Sequence, residues 1–375
     1  MMMSNLPQDL VEEILSRVPA TSLKQLRPTC KRWNALFNDQ GFTQKHFRKA
    51  TKESMVLMRM DCRVCLMSID LNVAPPSIEF KGTLSLKHDI STSKEVDIVE
   101  FFHCDGLLLC KTYEYRLVVW NPCMGEARWI QLRADNKNYS RFALGYENNK
   151  SYHSYKILRC WGYVPHNKVL ENRVVFGFKN HGFEIYAFSS DSWRVLDDVG
   201  FHRFLPSNGV SVKGNAYWIA IDENDKHEFL LSFDFTQENF KRLCLPPLLD
   251  NFSRFRTILA VGEEQLALIK QSDINNSTSK MEIWLTNKID TVLQWSKSFT
   301  VDLPICVDHF SYGMTFSVDM EKKVVVCCGK HSQKPMYIIG EDHRYYREIP
   351  NGESNYRSFL GKYMYNYVPS LVQIQ

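Results

Sequence analysis

Long hydrophobic runs are missing from this sequence. The longest apolar stretches, such as Val324–Cys328, fall far short of the roughly 20 residues a membrane helix needs, so no membrane partner is expected. The start, Met1-Met2-Met3-Ser4-Asn5-Leu6-Pro7-Gln8-Asp9, lacks a basic stretch followed by an apolar one, which argues against a secretory signal. A compact cysteine framework is missing as well: the eleven cysteines are an odd number scattered along the chain. Free and mostly buried thiols in a reducing compartment follow, and with them a cytoplasmic or nuclear location.

Signatures of catalysis and metal binding are equally scarce. There is no Walker-type phosphate loop and no His-Glu-x-x-His. Cys62-x-x-Cys65 has the spacing of a metal or redox pair, but it lies in a strand-like run, Arg63–Ile69, with no turn residue between the cysteines. Cysteines three apart on a strand point to opposite faces and cannot share one ion. Cys327-Cys328 fails for the same reason. The run from Gly209 to Gly214 is one residue too long for a nucleophile elbow and reads as a strand entering a turn at Lys213-Gly214-Asn215. The eleven histidines, His331 and His343 among them, are scattered, and Asp70, Asp234 and Asp319 read as turn formers near strand ends. No catalytic set, metal site or cofactor is expected.

What is present is a 375-residue chain with 44% hydrophobic and 13% aromatic content. That length buries a large core, and aromatics favour strands and binding surfaces. The net charge of +4 is unevenly placed. Residues 1–52 hold nine Lys/Arg against four acids, whereas the rest of the chain is slightly acidic. The basic N-terminal segment therefore implies an acidic partner. Nucleic acid is not the partner expected, because Trp33 and Phe37 share an apolar stripe instead of flanking an exposed basic face.

The N-terminal segment has helical periodicity. Leu6, Leu10, Ile14 and Leu15 recur with Val11 and Val18 beside them, and Pro7 suits a first helical turn. Pro19 ends this helix. Ser22-x-x-Gln25 has capping-box form and opens a second, carrying Leu23 and Leu26. Pro28 then serves as the start of a third, with the stripe Cys30, Trp33 and Phe37. Three helices in about forty residues cannot bury these side chains among themselves. A second domain or another protein must cover the excess.

The ordered set from Leu6-Pro7-Gln8-Asp9-Leu10 through Ser22-Leu23-Lys24-Gln25-Leu26-Arg27 to Thr29-Cys30-Lys31-Arg32-Trp33-Asn34 resembles an F-box. Pro28 departs from that pattern, since a small or apolar residue usually stands there. The resemblance implies docking on the Skp adaptor of a Skp–cullin–F-box (SCF) ubiquitin ligase and, through it, on cullin. The implied contact residues are Leu6, Pro7, Leu10, Ile14, Leu15, Val18, Pro19, Leu23, Leu26, Cys30 and Trp33.

From Met55 onward no long amphipathic helix is evident. Strand–turn–strand units recur instead, as in Leu117–Trp129, Phe183–Arg194 and Phe229–Lys241, with looser copies from Met281 and Val324. Their period of about 40–60 residues is that of a propeller, and the available length makes roughly six blades. A β-sandwich is the competing architecture. The pieces Cys104–Cys110, Val119-Trp120-Asn121-Pro122, Ala143–Tyr146, Tyr155–Leu158 and Tyr367-Val368-Pro369-Ser370-Leu371 resemble the F-box-associated domain of plant F-box proteins. Asp105-Gly106 and Asn121-Pro122 are turn signals. The alternating segment Tyr363–Val372 is expected to pair with the first strands near Met55–Leu71, because left alone it would be an exposed edge.

The expected organisation is an α+β chain divided by domain. Residues 1–46 form the small three-helix F-box, 47–54 a short basic linker and 55–375 an all-β, propeller-like domain. The expected role is a non-catalytic receptor that holds a protein client near a ubiquitin-charged enzyme, with a non-degradative scaffold as the alternative. The client is expected at loops mixing aromatics with Arg, His or Asn, namely those of Trp161, Phe204 and Phe252.

Overall fold

The computed structural model describes residues 6–374 except 51–54, 61, 74–75, 88–94, 133–139, 149–152, 164–168, 171–172, 175–178, 197–208, 223–226, 247–252, 275–277, 290–291, 304–313, 330–335, 342–346 and 350–362. The chain opens with four helices, one more than periodicity suggests: α1 (Gln8–Leu15), α2 (Ala20–Leu26), α3 (Lys31–Phe37) and α4 (Gln40–Lys49). Pro7 and Pro19 stand in extended backbone immediately before α1 and α2, where proline's fixed φ and missing N–H do no harm. Ser22 therefore lies inside α2 and caps nothing. Pro28 occupies a one-turn 3₁₀ segment, Arg27–Thr29, and the third helix starts only at Lys31. The unannounced helix is α4, whose buried face is Phe42, Thr43 and His46. Asp39 caps it by accepting the Phe42 N–H at 2.8 Å. It takes in Phe47–Lys49, the first part of the segment expected to be a linker.

The remainder forms six four-stranded antiparallel sheets and one small hairpin among the described residues. In chain order the strands are β1 (Met55–Met60), β2 (Arg63–Asp70), β3 (Ser77–Leu84), β4 (Ile98–Cys104), β5 (Leu107–Thr112), β6 (Leu117–Asn121), β7 (Glu126–Ile130), β8 (Ser140–Glu147) and β9 (Ser154–Tyr163). The hairpin β10 (Val169–Leu170) and β11 (Arg173–Val174) interrupts the third sheet, which β12 (Lys179–Ala187) and β13 (Ser192–Leu196) complete. Next come β14 (Val210–Val212), β15 (Asn215–Ile221), β16 (Glu228–Asp234), β17 (Asn239–Leu243), β18 (Ser253–Val261), β19 (Gln265–Ile274), β20 (Thr278–Thr286) and β21 (Trp295–Leu303). The last are β22 (Met314–Asp319), β23 (Val324–Gly329), β24 (Met336–Gly340), β25 (Arg347–Ile349) and β26 (Tyr363–Tyr367).

Blade 1 has the order β26-β1-β2-β3; blades 2 to 6 begin with β4, β8, β14, β18 and β22. These six first strands neighbour one another, β4 against β8 and β14, β14 against β18, and β22 against β26. The sheets thus close around a channel as a six-bladed β-propeller, and the sandwich alternative is excluded. Apolar cores fill the wedges between blades. Alternation along β23 sends Cys327 into the wedge with Ile269 and Phe316, and Cys328 into the one with Met58 and Met364. Cys62, by contrast, stands in the β1–β2 turn at φ 62° and not in a strand.

β26 closes the ring, pairing with β1 from Met55↔Tyr367 to Arg59↔Tyr363. The last strand is therefore the innermost one of the first blade. The tail beyond it crosses blade 2, where the buried Asn121 amide donates to the carbonyls of Ser370 at 3.1 Å and Val372 at 2.6 Å. Ser370 Oγ donates to the Asp105 carbonyl at 2.7 Å. Asp105 and Gly106 (φ 51° and 83°) make the two-residue turn from β4 to β5, the geometry that Asp-Gly favours. A Cβ at Gly106 would lie 2.3 Å from Ser370 Oγ, so the turn needs glycine for both its φ and its space. The sequence pieces that resembled one domain family thus converge on one end of the channel.

His103 sits beside this closure. Its Nε2 accepts the Gly106 N–H at 3.1 Å, and burial pulls its pKa down to about 4. The unfolded chain, with an ordinary histidine near 6.5, takes up that proton first. Stability accordingly falls as pH drops from about 6.5 toward 4 and levels off below, by at most about 3 kcal/mol from this group. Denaturation followed against pH should show a shallower slope across this window in His103→Gln than in the parent. An unchanged slope would contradict the assignment.

Candidate functional site

α1 carries two apolar faces. Val11 and Leu15 turn inward and join Leu23, Phe37 and Phe42 in one buried cluster. Leu10 and Ile14, one turn apart, form a ridge on the other side and are 52% and 41% exposed; Leu6, just ahead of the helix, is 38% exposed. Two large aliphatic side chains one turn apart on one solvent-facing helix, with a third just ahead of it, mark a surface made to be covered. Pro7 is exposed at the head of the ridge, and Val18, Pro19, Leu26, Cys30 and Trp33 are half-buried. Leu15 and Leu23, in contrast, are fully enclosed. Their part in any docking is to hold α1 and α2 in place, not to touch a partner. Glu13 ties α1 to α4 through Lys49 at 2.8 Å and Lys45 at 3.0 Å, with Arg17 at 2.8 Å on the same carboxylate. These cations hold its carboxyl down to about 2.

The helices are seated on the propeller. Cys123, in the β6–β7 turn, and Leu371, in the closing tail, belong to the same buried cluster as Leu15, Leu23 and Phe37, and Met124 packs against it. Gln373 donates to Asn38 at 3.1 Å and Arg27 pairs with Glu126 at 3.8 Å across the same seam. Met55 and Tyr367 are cross-strand partners at this end, so the helices enter the propeller at the face where its inner strands finish.

The helical segment and the β-domain each match a family model. Residues 3–45 match the F-box domain, and residues 55–374 match the F-box associated beta propeller domain. The chain is an F-box protein. It is 57% identical to an F-box/kelch-repeat protein of Arabidopsis thaliana, over 100% of this chain and 98% of the relative. The Arabidopsis thaliana protein named F-box only protein 9 is 50% identical over 100% of this chain and 96% of its own length. An F-box protein of the same plant is 51% identical over 87% of this chain and 93% of its own length. Proteins of this kind are adaptors in general, without chemistry of their own. Among the described residues no helix is long and apolar enough to cross a membrane.

At the opposite face of this F-box protein the inner strands begin. Here a small cleft opens between blades 2 and 3, lined among others by Glu100, Lys111, Arg141, Phe142, Trp218 and Tyr365. Cross-strand pairing sets Lys111 opposite Glu100, and blade closure brings Arg141, near the start of β8, alongside. Lys111 Nζ donates to the Ser140 carbonyl at 3.3 Å and lies 5.8 Å from the centre of the Tyr115 ring. Burial pulls the Lys111 pKa down; Glu100 opposes this, while Arg141 and Arg159 add to it. Arg159 is itself paired with the buried Glu184 at 3.2 Å. Beside the cleft the β5–β6 turn presents Tyr113 and Tyr115, 69% and 66% exposed.

Of the expected client contacts, Trp161 lies at this same face, paired with Ser140 at the start of β8. Its ring lies over Gly182, where a Cβ would approach Cζ2 to 2.3 Å, so it packs down on its own blade. Phe204 and Phe252 lie outside the described residues. Tyr113 and Tyr115 were not anticipated from sequence, although Lys111-Thr112-Tyr113-Glu114-Tyr115-Arg116 mixes aromatics and cations in the manner sought elsewhere.

Proposed function

We propose that this F-box protein is the substrate-receptor subunit of an SCF-type ubiquitin ligase. On this reading the Leu10–Ile14 ridge, with Leu6 ahead of it, docks on a Skp-family adaptor, and through it on cullin, while the far face of the propeller holds a protein client. The observation that carries the reading is the ridge itself: an apolar face left uncovered on a helix whose other face is fully used. The basic surroundings, Lys24, Lys31 and Arg32 among them, suit an acidic adaptor surface and would steer its approach. The propeller then acts by proximity. With the helices seated at one end of the channel and the client at the other, client lysines are held at high effective concentration near the ubiquitin thioester. No cofactor is required, and neither nucleic acid nor membrane takes part.

The experiment is co-expression of the full chain with a Skp-family adaptor and cullin, followed by size-exclusion chromatography. A ternary complex of one copy each is the expected outcome. A chain that elutes alone, folded and soluble, would refute the receptor role. Adaptor binding without cullin would favour the non-degradative scaffold.

A further inference from the structure

We propose that the C-terminal tail is a two-sided strap that fixes the F-box helices in one orientation on the propeller, and that Asn121 is the residue that positions it. This rests on the receptor reading and adds what makes such a receptor effective. An adaptor at one end of the channel and a client at the other meet productively only if the angle between them is held. The effective concentration of a tethered group falls with the volume it samples.

Contacts along the tail alternate, as they do along a strand. Leu371 enters the buried cluster of the helices, and Gln373 donates to Asn38, between α3 and α4, at 3.1 Å. Val372 and Ile374 turn the other way and pack against the core shared by blades 2, 3 and 4. One short segment thus adheres to the helical unit on one side and to the propeller on the other. The helices also rest on the β6–β7 turn, through Cys123, Met124 and the pair of Arg27 with Glu126. A seat of so few apolar side chains does not set an orientation by itself, because units of one chain move against each other unless their interface is large and apolar.

Asn121 joins the two footings. It is fully buried at the end of β6. Both amide hydrogens go to the tail, to the carbonyls of Ser370 at 3.1 Å and Val372 at 2.6 Å, while its Oδ1 accepts the Met124 N–H of the turn at 3.1 Å. A side-chain amide supplies two donors and an acceptor together. A carboxylate of the same shape would face two carbonyls with no hydrogen to give, and an apolar side chain would leave both without this donor. Ser370 Oγ adds a bond to the Asp105 carbonyl at 2.7 Å, so the strap is pinned where it leaves the ring.

Orientation is read by single-molecule energy transfer in the full-length protein. The dyes are attached to azide-bearing residues placed at the exposed Gln25 of α2 and Gln237 of the β16–β17 turn. The parent should give one narrow distance distribution, and Asn121→Asp should lose it for a broad one well below the melting temperature. A buried carboxylate can also weaken blade 2, so a chain ending at Pro369 is the second test. It keeps β26 and ring closure but lacks the strap, and it should still melt cooperatively while showing the same broad distribution. Val119→Ala, buried in the neighbouring part of β6, should lower the melting temperature without broadening the distribution. A broad distribution in the parent, a narrow one in both the Asn121→Asp protein and the shortened chain, or equal broadening from Val119→Ala would overturn the proposal. Affinity for a Skp-family adaptor is measured on the same proteins and should stay at the parent's value, because the Leu10–Ile14 ridge lies outside the seam. Affinity lost together with the strap would make the tail part of the helical fold and overturn its positioning role. A parent that binds no adaptor defeats the receptor reading and leaves the orientation result standing.

Discussion

A chain ending at Gly361 is expected to lose the whole propeller and not merely its last strand. β26 is the inner strand of blade 1, and removing it leaves β1 with an unpaired edge facing the channel. Blade 6, blade 2 and the helical unit are deprived of partners at the same time. The Met364 N–H donates to Thr315 Oγ1 at 2.6 Å, and Ser317 Oγ meets Asn366 at 2.5 Å, both from β22 of blade 6. Met364 belongs to the core between blades 1 and 6, and Tyr367 to that between blades 1 and 2. Leu371 leaves the seat of the F-box helices. Three buried side chains at about 2 kcal/mol each, with a full strand ladder besides, match the roughly 5–15 kcal/mol by which a domain is ordinarily stable. Thermal unfolding should show the loss of the cooperative transition. A truncated protein that stays monomeric and melts at the parent's temperature would show that the ring does not depend on its closure.

Replacing Leu10 and Ile14 together by alanine is expected to cost about 3 kcal/mol in adaptor binding, roughly a hundredfold, with no change in melting temperature. The separation of the two effects follows from exposure: both side chains face solvent and leave no cavity behind. Leu15→Ala and Leu23→Ala should behave the other way. Both residues are fully buried, so truncation costs about 2–5 kcal/mol of folding stability in the helical unit and affects binding only through it. Calorimetric titration of the adaptor together with melting curves on all four side chains reads the contrast. Unchanged adaptor affinity in the soluble Leu10/Ile14 double variant would remove the ridge from the interface.

The features legible in the sequence are those that depend on near neighbours. Helical spacing from Leu10, the turns at Asp105-Gly106 and Lys213-Gly214 and the strand period follow from local backbone preferences, and they stand where those preferences put them; Leu6 and Pro7, expected in the first turn, lie just ahead of it. The return of Tyr363–Tyr367 to Met55–Arg59 was legible too, because an apolar strand without a partner has only a few places to go. α4 was not, since its buried face of Phe42, Thr43 and His46 looks polar. It is buried because the His46 ring meets the Val18 carbonyl at 2.8 Å and Phe42 stacks near Phe37.

By itself the sequence determined a small helical unit with more apolar surface than it can hide, followed by a repetitive sheet structure that ends where it began. Which leucines of α1 face outward was decided by the tertiary structure. A helical period assigns Leu10 and Leu15 to different faces but does not say which face meets Cys123 and Leu371. The cleft was decided there too: Lys111 and Arg141 lie on adjacent blades, thirty residues apart in the chain, and only ring closure sets their charges side by side. Local chemistry encodes periods and turns; the meeting of distant side chains is a property of how the blades pack.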